Sequence, residues 1–311
     1  MQKNIPCDLC GAVTTLPYLK LVDHSPFALV KCSSCGLIFL DPRPDPVEIN
    51  NHYSADYYTS HPPEHTGSVV RNKLKKLAYS SRCNEPTQWR GIRQVVMPVA
   101  RSIIGWRANR RVPPLSKGRL LDVGCGNGEQ AAWLRDNLPG WEVEGVEINK
   151  FAAGLAESLF SLKVYQGHLP DLDLPSESYD MVSFWHSLEH TFSPTANMKV
   201  AHRVLRRGGW VGIEVPDIYS WEARLAKEGW YHLAVPFHLY HFTLTTLEDL
   251  LKRTGFLPFS IEYLRGDIGL NVWLDNAHAY LSRPQLFGAK IGAQALGRFS
   301  PWGIRIYAAK T

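Results

Sequence analysis

Three groups of residues in this 311-residue chain have the types and spacing of working chemistry. The first is a double cysteine pair, Cys7-Asp-Leu-Cys10-Gly and Cys32-Ser-Ser-Cys35-Gly, with 21 residues between the pairs. Each pair places two thiols on one side of a tight turn, with Gly11 and Gly36 as permissive backbone, and two such pairs complete a tetrahedral zinc site. Four thiolates fill that sphere and leave no position for water. Cys7, Cys10, Cys32 and Cys35 are therefore expected to hold a structural Zn2+ rather than a catalytic one. Redox use would need only one pair ahead of a helix, and neither pair precedes a convincing helical pattern. Cys83 and Cys125 stand alone and read as small packing residues.

The second group is a glycine loop. Arg119-Leu-Leu-Asp-Val123 reads as a short apolar strand, followed by Gly124-Cys-Gly-Asn-Gly128 and an amphipathic helix from about residue 129 to 137. Glycines let the backbone turn sharply against a ligand, and the helix amino terminus behind them favours electronegative atoms. A dinucleotide fold uses the related G-x-G-x-x-G, so the context decides. Here the spacing is G-x-G-x-G, Asp122 lies inside the motif, and a second strand, Trp141 to Val146, ends in Glu147, an acid placed to take two ribose hydroxyls.

The third group is Trp185-His186-Ser-Leu-Glu189-His190, directly after another strand. An adjacent Glu and His offer a proton acceptor and a group to orient or charge-balance it. A further cluster, Gly229-Trp-Tyr-His-Leu-Ala-Val-Pro-Phe-His-Leu-Tyr-His-Phe242, places His238 and His241 three apart, where one turn aims both into a cleft. His202 and His232 read as structural. Trp221, Trp230, Tyr231 and Phe237 supply either an apolar wall or ordinary core.

These groups need strands and helices in alternation to position them. Strand patterns recur near 163–166 and 179–184, and 204–216 reads as a helix end, a turn and a fifth strand; this alternation implies a parallel sheet with ligands at the strand carboxyl ends. Strand character returns at 255–263 and 303–309, leaving 267–302 as a long insertion.

Composition sets the frame. With 45% hydrophobic and 20% charged residues the chain is globular, which excludes disordered and coiled-coil classes. No apolar run reaches membrane-span length and no signal core follows Met1, so a cytoplasmic protein is expected. The net charge of +5 is uneven: residues 71–119 hold 13 basic residues against Glu85 alone, while the remainder carries 21 basic and 28 acidic residues. An apolar stripe (Ile92, Val95, Val96, Val99, Ile103, Trp106) runs through that segment and predicts a helix with a break near Pro98. It reads as a solvated connector, as a clamp on an anionic acceptor, as a contact with the inner membrane surface, or as an RNA contact.

At LDVGCGNG, Glu147, SYDMV, WHSLEH, VLRRGGW and VPD, over residues 118–217, the chain resembles class I S-adenosylmethionine-dependent methyltransferases. The resemblance implies an α/β, Rossmann-like seven-stranded sheet, closed by the antiparallel pair at 255–263 and 303–309, with a small zinc-ribbon-like subdomain ahead of it. It implies that Gly124, Gly126 and nearby backbone hold the methionine part of the cofactor, that Glu147 holds the ribose, and that Gly167-His168-Leu169 lies near adenine. It extends the cofactor set to Asp122, Cys125, Gly128, Ile148 and Trp185. In sugar-nucleotide C-methyltransferases a Glu-His pair at the position of Glu189-His190 takes part in deprotonation. Quinone-pathway O-methyltransferases hold a divalent metal there with E-x-x-E-H, and His186 stands where their first Glu would be. Residues 230–242 are similar to the W-x-x-L-x-x-P-x-H-x-x-x-F segment of small bacterial methyltransferases, with His238 at the matching position. Tyr53, Tyr57 and Tyr58 resemble a substrate-facing aromatic segment of zinc-containing sugar C-methyltransferases, which are longer by a carboxyl-terminal domain that this chain is not expected to share. No Asn- or Asp-Pro-Pro-aromatic tetrapeptide is present, which argues against adenine or glutamine N-methylation.

The expected organisation is a zinc-ribbon-like subdomain at 1–60, a basic helical connector at 61–117 and a methyltransferase domain at 118–311. The expected activity is methyl transfer to oxygen or carbon of an anionic small-molecule, sugar or glycan acceptor, with His186, Glu189, His190, His238 and His241 as candidate catalytic groups. The alternatives are an RNA methyltransferase and a non-catalytic zinc-ribbon protein that binds cofactor.

Overall fold

The structure, a computed structural model, describes residues 1, 3–21, 26–45, 48–49, 61, 117–137, 140–265 and 301–311. Tyr53, Tyr57, Tyr58, Cys83, the expected helix with its break near Pro98, the basic segment up to residue 116 and the insertion up to residue 300 lie outside the described residues. Trp302, expected in that insertion, belongs to the last strand.

Seven strands form the main sheet: β4 (Gly118–Val123), β5 (Trp141–Glu147), β6 (Lys163–Gln166), β7 (Tyr179–Trp185), β8 (Leu205–Pro216), β10 (Phe256–Arg265) and β11 (Pro301–Lys310). Their order is β10-β11-β8-β7-β4-β5-β6. The β4–β8 group is parallel, and β11 pairs antiparallel with both β8 and β10. Neighbouring residues point to opposite faces, as the strand repeat of two requires. Leu120, Met181, Trp185, Trp210 and Tyr307 cluster with helices α1 (Glu129–Asn137) and α2 (Lys150–Phe160). Leu121, Val123, Val182, Phe184, Ile213 and Ile304 cluster with α3 (Pro194–Val204) and, past a short α4 (Trp221–Ala226), with α5 (Leu244–Arg253). The turn expected after Val204 survives as an irregularity inside β8: Tyr179 pairs with Leu205 but Met181 with Trp210, so residues 206–209 loop out of register.

Local chemistry sets the helix ends. Asn149 Oδ1 accepts from Phe151 N and Ala152 N at the start of α2, and Thr243 with Thr246 forms a reciprocal capping box on α5. Gly128 has φ +81°, and a Cβ there would lie 2.6 Å from the Ala156 Cβ. Only glycine lets α1 start this close to α2.

The cysteine region forms a second sheet, β1 (Thr15–Lys20), β2 (Ala28–Cys32) and β3 (Ile38–Asp41), completed by β9 (Tyr240–His241) from the far end of the chain. Ile38 pairs with His241 and Phe39 with Tyr240. Cys7, Leu37 and Phe39 belong to the same buried cluster as Phe184 and Ile304, so the cysteine sheet shares the core of the main sheet. Among the described residues no helix is long and apolar enough to cross a membrane.

Candidate functional site

A cleft of about 770 Å³, counted to its open mouth, lies at the carboxyl ends of β4 to β7. Glu147, at the end of β5, is 7% exposed; its Oε2 accepts from Gly126 N at 2.8 Å and its Oε1 from Asn149 N at 2.8 Å. Burial pushes its pKa up, and the backbone N–H groups oppose that rise. Each oxygen keeps a lone pair for a ligand hydroxyl. Gly124 (φ +78°) touches the start of the segment after β7: a Cβ there would sit 2.4 Å from Ser187 Cβ. The Ser187 hydroxyl donates to Val123 O at 2.5 Å and ties the two ligand-facing turns together.

The expected cofactor residues divide into two sets. Gly124, Gly126, Glu147, Ile148, His168 and Leu169 line the cleft. Asp122, Cys125, Gly128 and Trp185 are not among its lining residues. Asp122 is 3% exposed and accepts from Ser183 Oγ at 2.6 Å, bracing β4 to β7. Cys125 packs on Gly145, where a Cβ would meet its Sγ at 2.5 Å, and burial holds its thiol well above the usual range. Trp185 sits edge-on to Tyr307 in the opposite face of the sheet.

The five candidate catalytic groups also separate. His186 adopts φ +56°, an uncommon conformation for a residue with a side chain, and presents Nε2 to Glu214 Oε1 at 2.9 Å and Nδ1 to Glu189 Oε1 at 3.6 Å. Glu214 in turn pairs with the buried Arg305, whose Nε donates at 3.0 Å and whose Nη2 also contacts it. Burial disfavours charge on His186, but the two carboxylates outweigh it and hold its pKa at about 9. Arg305 also reaches Glu262 Oε2 at 3.2 Å, so the two cations lie among three carboxylates. His186 thus faces a carboxylate with each ring nitrogen and also lines the cleft.

His190 lines the cleft beside it. Burial lowers its pKa, partly opposed by the charge of Glu189. Glu189 is 1% exposed, and among the described residues neither carboxylate oxygen has a hydrogen-bond partner, its ion pair with His186 standing at 3.6 Å. His238 meets the His190 ring edge-on at 4.5 Å between centroids and sets its Nδ1 against His232 O at 2.8 Å. One ligand-capable atom from each of Glu189, His190 and His238 lies within 4.8 Å of the others, an arrangement that could accept a cation. His241 is 3% exposed and is not among the cleft's lining residues; burial and then the charge of His190 lower its pKa to about 3. His232, expected to be structural, stacks on Trp302 at 4.7 Å and 6°.

The four cysteines converge as their spacing predicts. Cys7 Sγ lies 3.4 Å from Cys35 Sγ, Cys10 Sγ lies 3.5 Å from Cys32 Sγ, and all four sulfurs fall within 4.8 Å of one another. Burial pushes the Cys7 thiol up and takes Cys35 to about 11. Cys32 is also penalised by burial, yet backbone N–H groups of Cys35 and Ser34 bring it down to about 7. Four thiolates this close are stable together only around a cation, and soft sulfur donors fit Zn2+.

Several cleft residues carried no sequence signal. Ile49 lines it because a distant segment meets the cleft, and Phe192 and Asn197 extend the wall that begins at His186. Glu214 and Arg305 did carry one: each is a lone charge inside an otherwise apolar strand, VGIEVP and GIRIYAA, and a buried charge needs a partner.

A parallel α/β sheet with a glycine turn after its first strand, an acid after its second and a cleft at their carboxyl ends defines a Rossmann-like, nucleoside-binding class of protein. The chain belongs to the methyltransferase domain family, which matches residues 101–259. It is similar to the ubiquinone biosynthesis O-methyltransferase of Burkholderia vietnamiensis, 33% identical over 107 residues, or 31% of this chain and 44% of that one. It is also similar to the demethylmenaquinone methyltransferase of Chlorobaculum parvum, 25% identical over 119 residues, or 38% of this chain and 49% of that one. The chain spans about half the length of the curated relatives it matches. Among solved structures, S-adenosylmethionine-dependent methyltransferases of Mesorhizobium loti and Archaeoglobus fulgidus share 21% and 22% identity with it, each at a TM-score of 0.46. They cover 64% and 72% of this chain, and 94% and 96% of their own.

Proposed function

We propose that this protein transfers a methyl group from S-adenosylmethionine to an oxygen or carbon of a small-molecule acceptor, with a structural Zn2+ on Cys7, Cys10, Cys32 and Cys35. The observation that carries this reading is one continuous cleft in which the glycine turn and Glu147 lead directly to His190. The cofactor, when bound, supplies an electrophilic methyl group on sulfonium sulfur. Glu147 accepts from ribose hydroxyls, Ile148, His168 and Leu169 flank the base, and the backbone at Gly124 and Gly126 admits the amino-acid end.

Methylation of a hydroxyl or an activated carbon requires the acceptor's proton to leave. His190, whose pKa burial lowers and which lines the cleft, takes it at a ring nitrogen, and the buried Glu189 carboxylate compensates the positive charge that develops. His186 holds Glu189 in place from the other side. An anionic sugar or glycan acceptor is the finer reading. It rests on the surplus of positive charge at residues 71–119 and on the resemblance to zinc-containing sugar enzymes.

Titration calorimetry with S-adenosylhomocysteine and with NAD tests the cofactor assignment: the first should bind and the second should not. Transfer of labelled methyl from the cofactor into a metabolite extract tests the activity, and preference for NAD or absence of transfer would refute it. Salt-sensitive RNA binding would redirect the acceptor assignment to nucleic acid.

A further inference from the structure

The side chain of Asp8 stands between Cys7 and Cys10, in the first cysteine turn, yet all its described hydrogen bonds go to the start of α3. Asp8 Oδ1 accepts from Ser193 Oγ at 2.5 Å, Oδ2 accepts from Thr195 N at 2.8 Å, and the Asp8 carbonyl accepts from Thr195 Oγ1 at 3.0 Å. The Thr195 N–H is one of the donors a helix start leaves without an internal partner. Ser193 meanwhile caps the same helix from within, accepting from Ala196 N at 3.0 Å. A helix with an adequate cap of its own thus receives a second one from 187 residues away.

What that helix start holds is the wall of the cleft. Thr191 and Phe192 precede Ser193, Asn197 follows one turn later, and all three line the cleft. A second tie comes from the same region. Arg43, 7% exposed, donates to Phe192 O at 3.0 Å and to the Tyr240 hydroxyl at 2.7 Å, and that hydroxyl also donates to Phe192 O at 3.0 Å. Tyr240 is itself in the strand that closes the cysteine sheet.

The geometry points to Asp8 as a positioning residue that couples the four-cysteine site to the cleft. This rests on the reading of the cleft as the cofactor site and of the cysteines as the zinc site. The turn from Cys7 to Gly11 is closed by Gly11 N donating to Cys7 O at 2.7 Å, so metal that fixes Cys7 and Cys10 also fixes the Asp8 carboxylate between them. A fixed carboxylate holds Ser193 and Thr195, and through them Phe192 and Asn197. Coupling of this kind is reciprocal: if metal favours the ligand-ready wall, a ligand in the cleft must tighten metal binding by the same factor.

The test measures zinc affinity of the full chain by competition with a chromogenic chelator, with and without saturating S-adenosylhomocysteine. The wild type should hold zinc about tenfold more tightly with the ligand present. Asp8→Ala, which leaves all four thiols in place, should still bind zinc but lose that increment, and should bind S-adenosylhomocysteine about tenfold more weakly. Asp8→Asn keeps an acceptor for Thr195 N and an amide that Ser193 Oγ can accept, so it should retain most of the coupling. If Asp8→Ala does not fold, Thr195→Val removes only the hydroxyl bond to the Asp8 carbonyl and should reduce the coupling about threefold. Zinc affinity indifferent to the ligand in the wild type, or coupling unchanged in Asp8→Ala and Thr195→Val, overturns the inference. So does failure to bind zinc, while leaving the cleft assignment intact; failure of the wild type to bind S-adenosylhomocysteine overturns both.

Discussion

The histidines around the cleft should give this protein a peaked stability profile centred near neutral pH. An imidazole has an ordinary pKa near 6.5. His241 and His232 are each lowered to about 3, by burial first, and remain neutral in the folded protein while the unfolded chain protonates them as pH falls. A group in that state costs about 1.4 kcal/mol per pH unit below its unfolded value. Going to pH 5 therefore costs about 2 kcal/mol for each. His186 has the opposite sign. Its folded pKa, at about 9, lies above the unfolded value, so its contribution is fully present below about 6.5 and lost as pH rises through 9. It returns less than about 1 kcal/mol on the acid side, leaving a net loss of about 3 kcal/mol at pH 5 and about 2 kcal/mol at pH 9. His190 and His238 are also lowered and steepen the acid limb.

Those losses are large against a typical net stability of about 5–15 kcal/mol. Urea unfolding followed by tryptophan fluorescence, on zinc-loaded protein at pH 5, 7 and 9, reads both limbs. His241→Phe removes one titrating group from a site that is 3% exposed and should recover about 2 kcal/mol of the acid loss, whatever constant penalty the substitution adds. Glu214→Gln removes one of the two carboxylates that hold His186 charged and should flatten the alkaline limb. A stability that does not change from pH 7 to 5, or an acid limb identical in His241→Phe, would refute the assignment of neutral buried imidazoles.

Three substitutions separate the roles within the cleft. Glu147→Ala removes the acceptor for Gly126 N, Asn149 N and the ribose, and calorimetry should show S-adenosylhomocysteine binding weakened by about 2–3 kcal/mol, roughly 30- to 150-fold. His190→Ala should leave that affinity within about threefold of wild type while turnover falls by about 100-fold or more; equal damage to binding in both variants would remove His190 from the chemistry. Gly128→Ala forces a side chain into φ +81° and against Ala156 Cβ at 2.6 Å, and should lower stability by about 2–4 kcal/mol in the same urea assay.

The parts legible in the sequence are those whose structure is local. The glycine turn, the acid after β5 and the cysteine pairs each need a particular backbone within a few residues, and each lies where its spacing placed it. The strand alternation likewise declared the main sheet, because buried parallel strands leave long apolar runs. What stayed hidden is which chemistry each histidine performs. His186, His190, His238 and His241 are alike in sequence, and only their neighbours distinguish them. Glu214 lies 28 residues from His186, and Arg305 a further 91 from Glu214.

A glutamate in VGIEVP and an arginine in GIRIYAA cannot both be buried unless they meet, since an unpaired ion inside a sheet costs several kcal/mol. The register sets Arg305 directly opposite Glu214 across β11 and β8, and that pairing is what directs the second oxygen of Glu214 toward His186. The charge on His186 is therefore decided in the antiparallel edge of the sheet, far along the chain from the glycine loop that marks the site. Asp8 repeats the logic from the other terminus, fixing the wall of a cleft to which its own turn contributes no lining residue. In this fold the ligand-facing groups are named by local motifs, while the charge on His186 and the placement of the cleft wall depend on single charged residues far along the chain, Glu214 with Arg305 and Asp8.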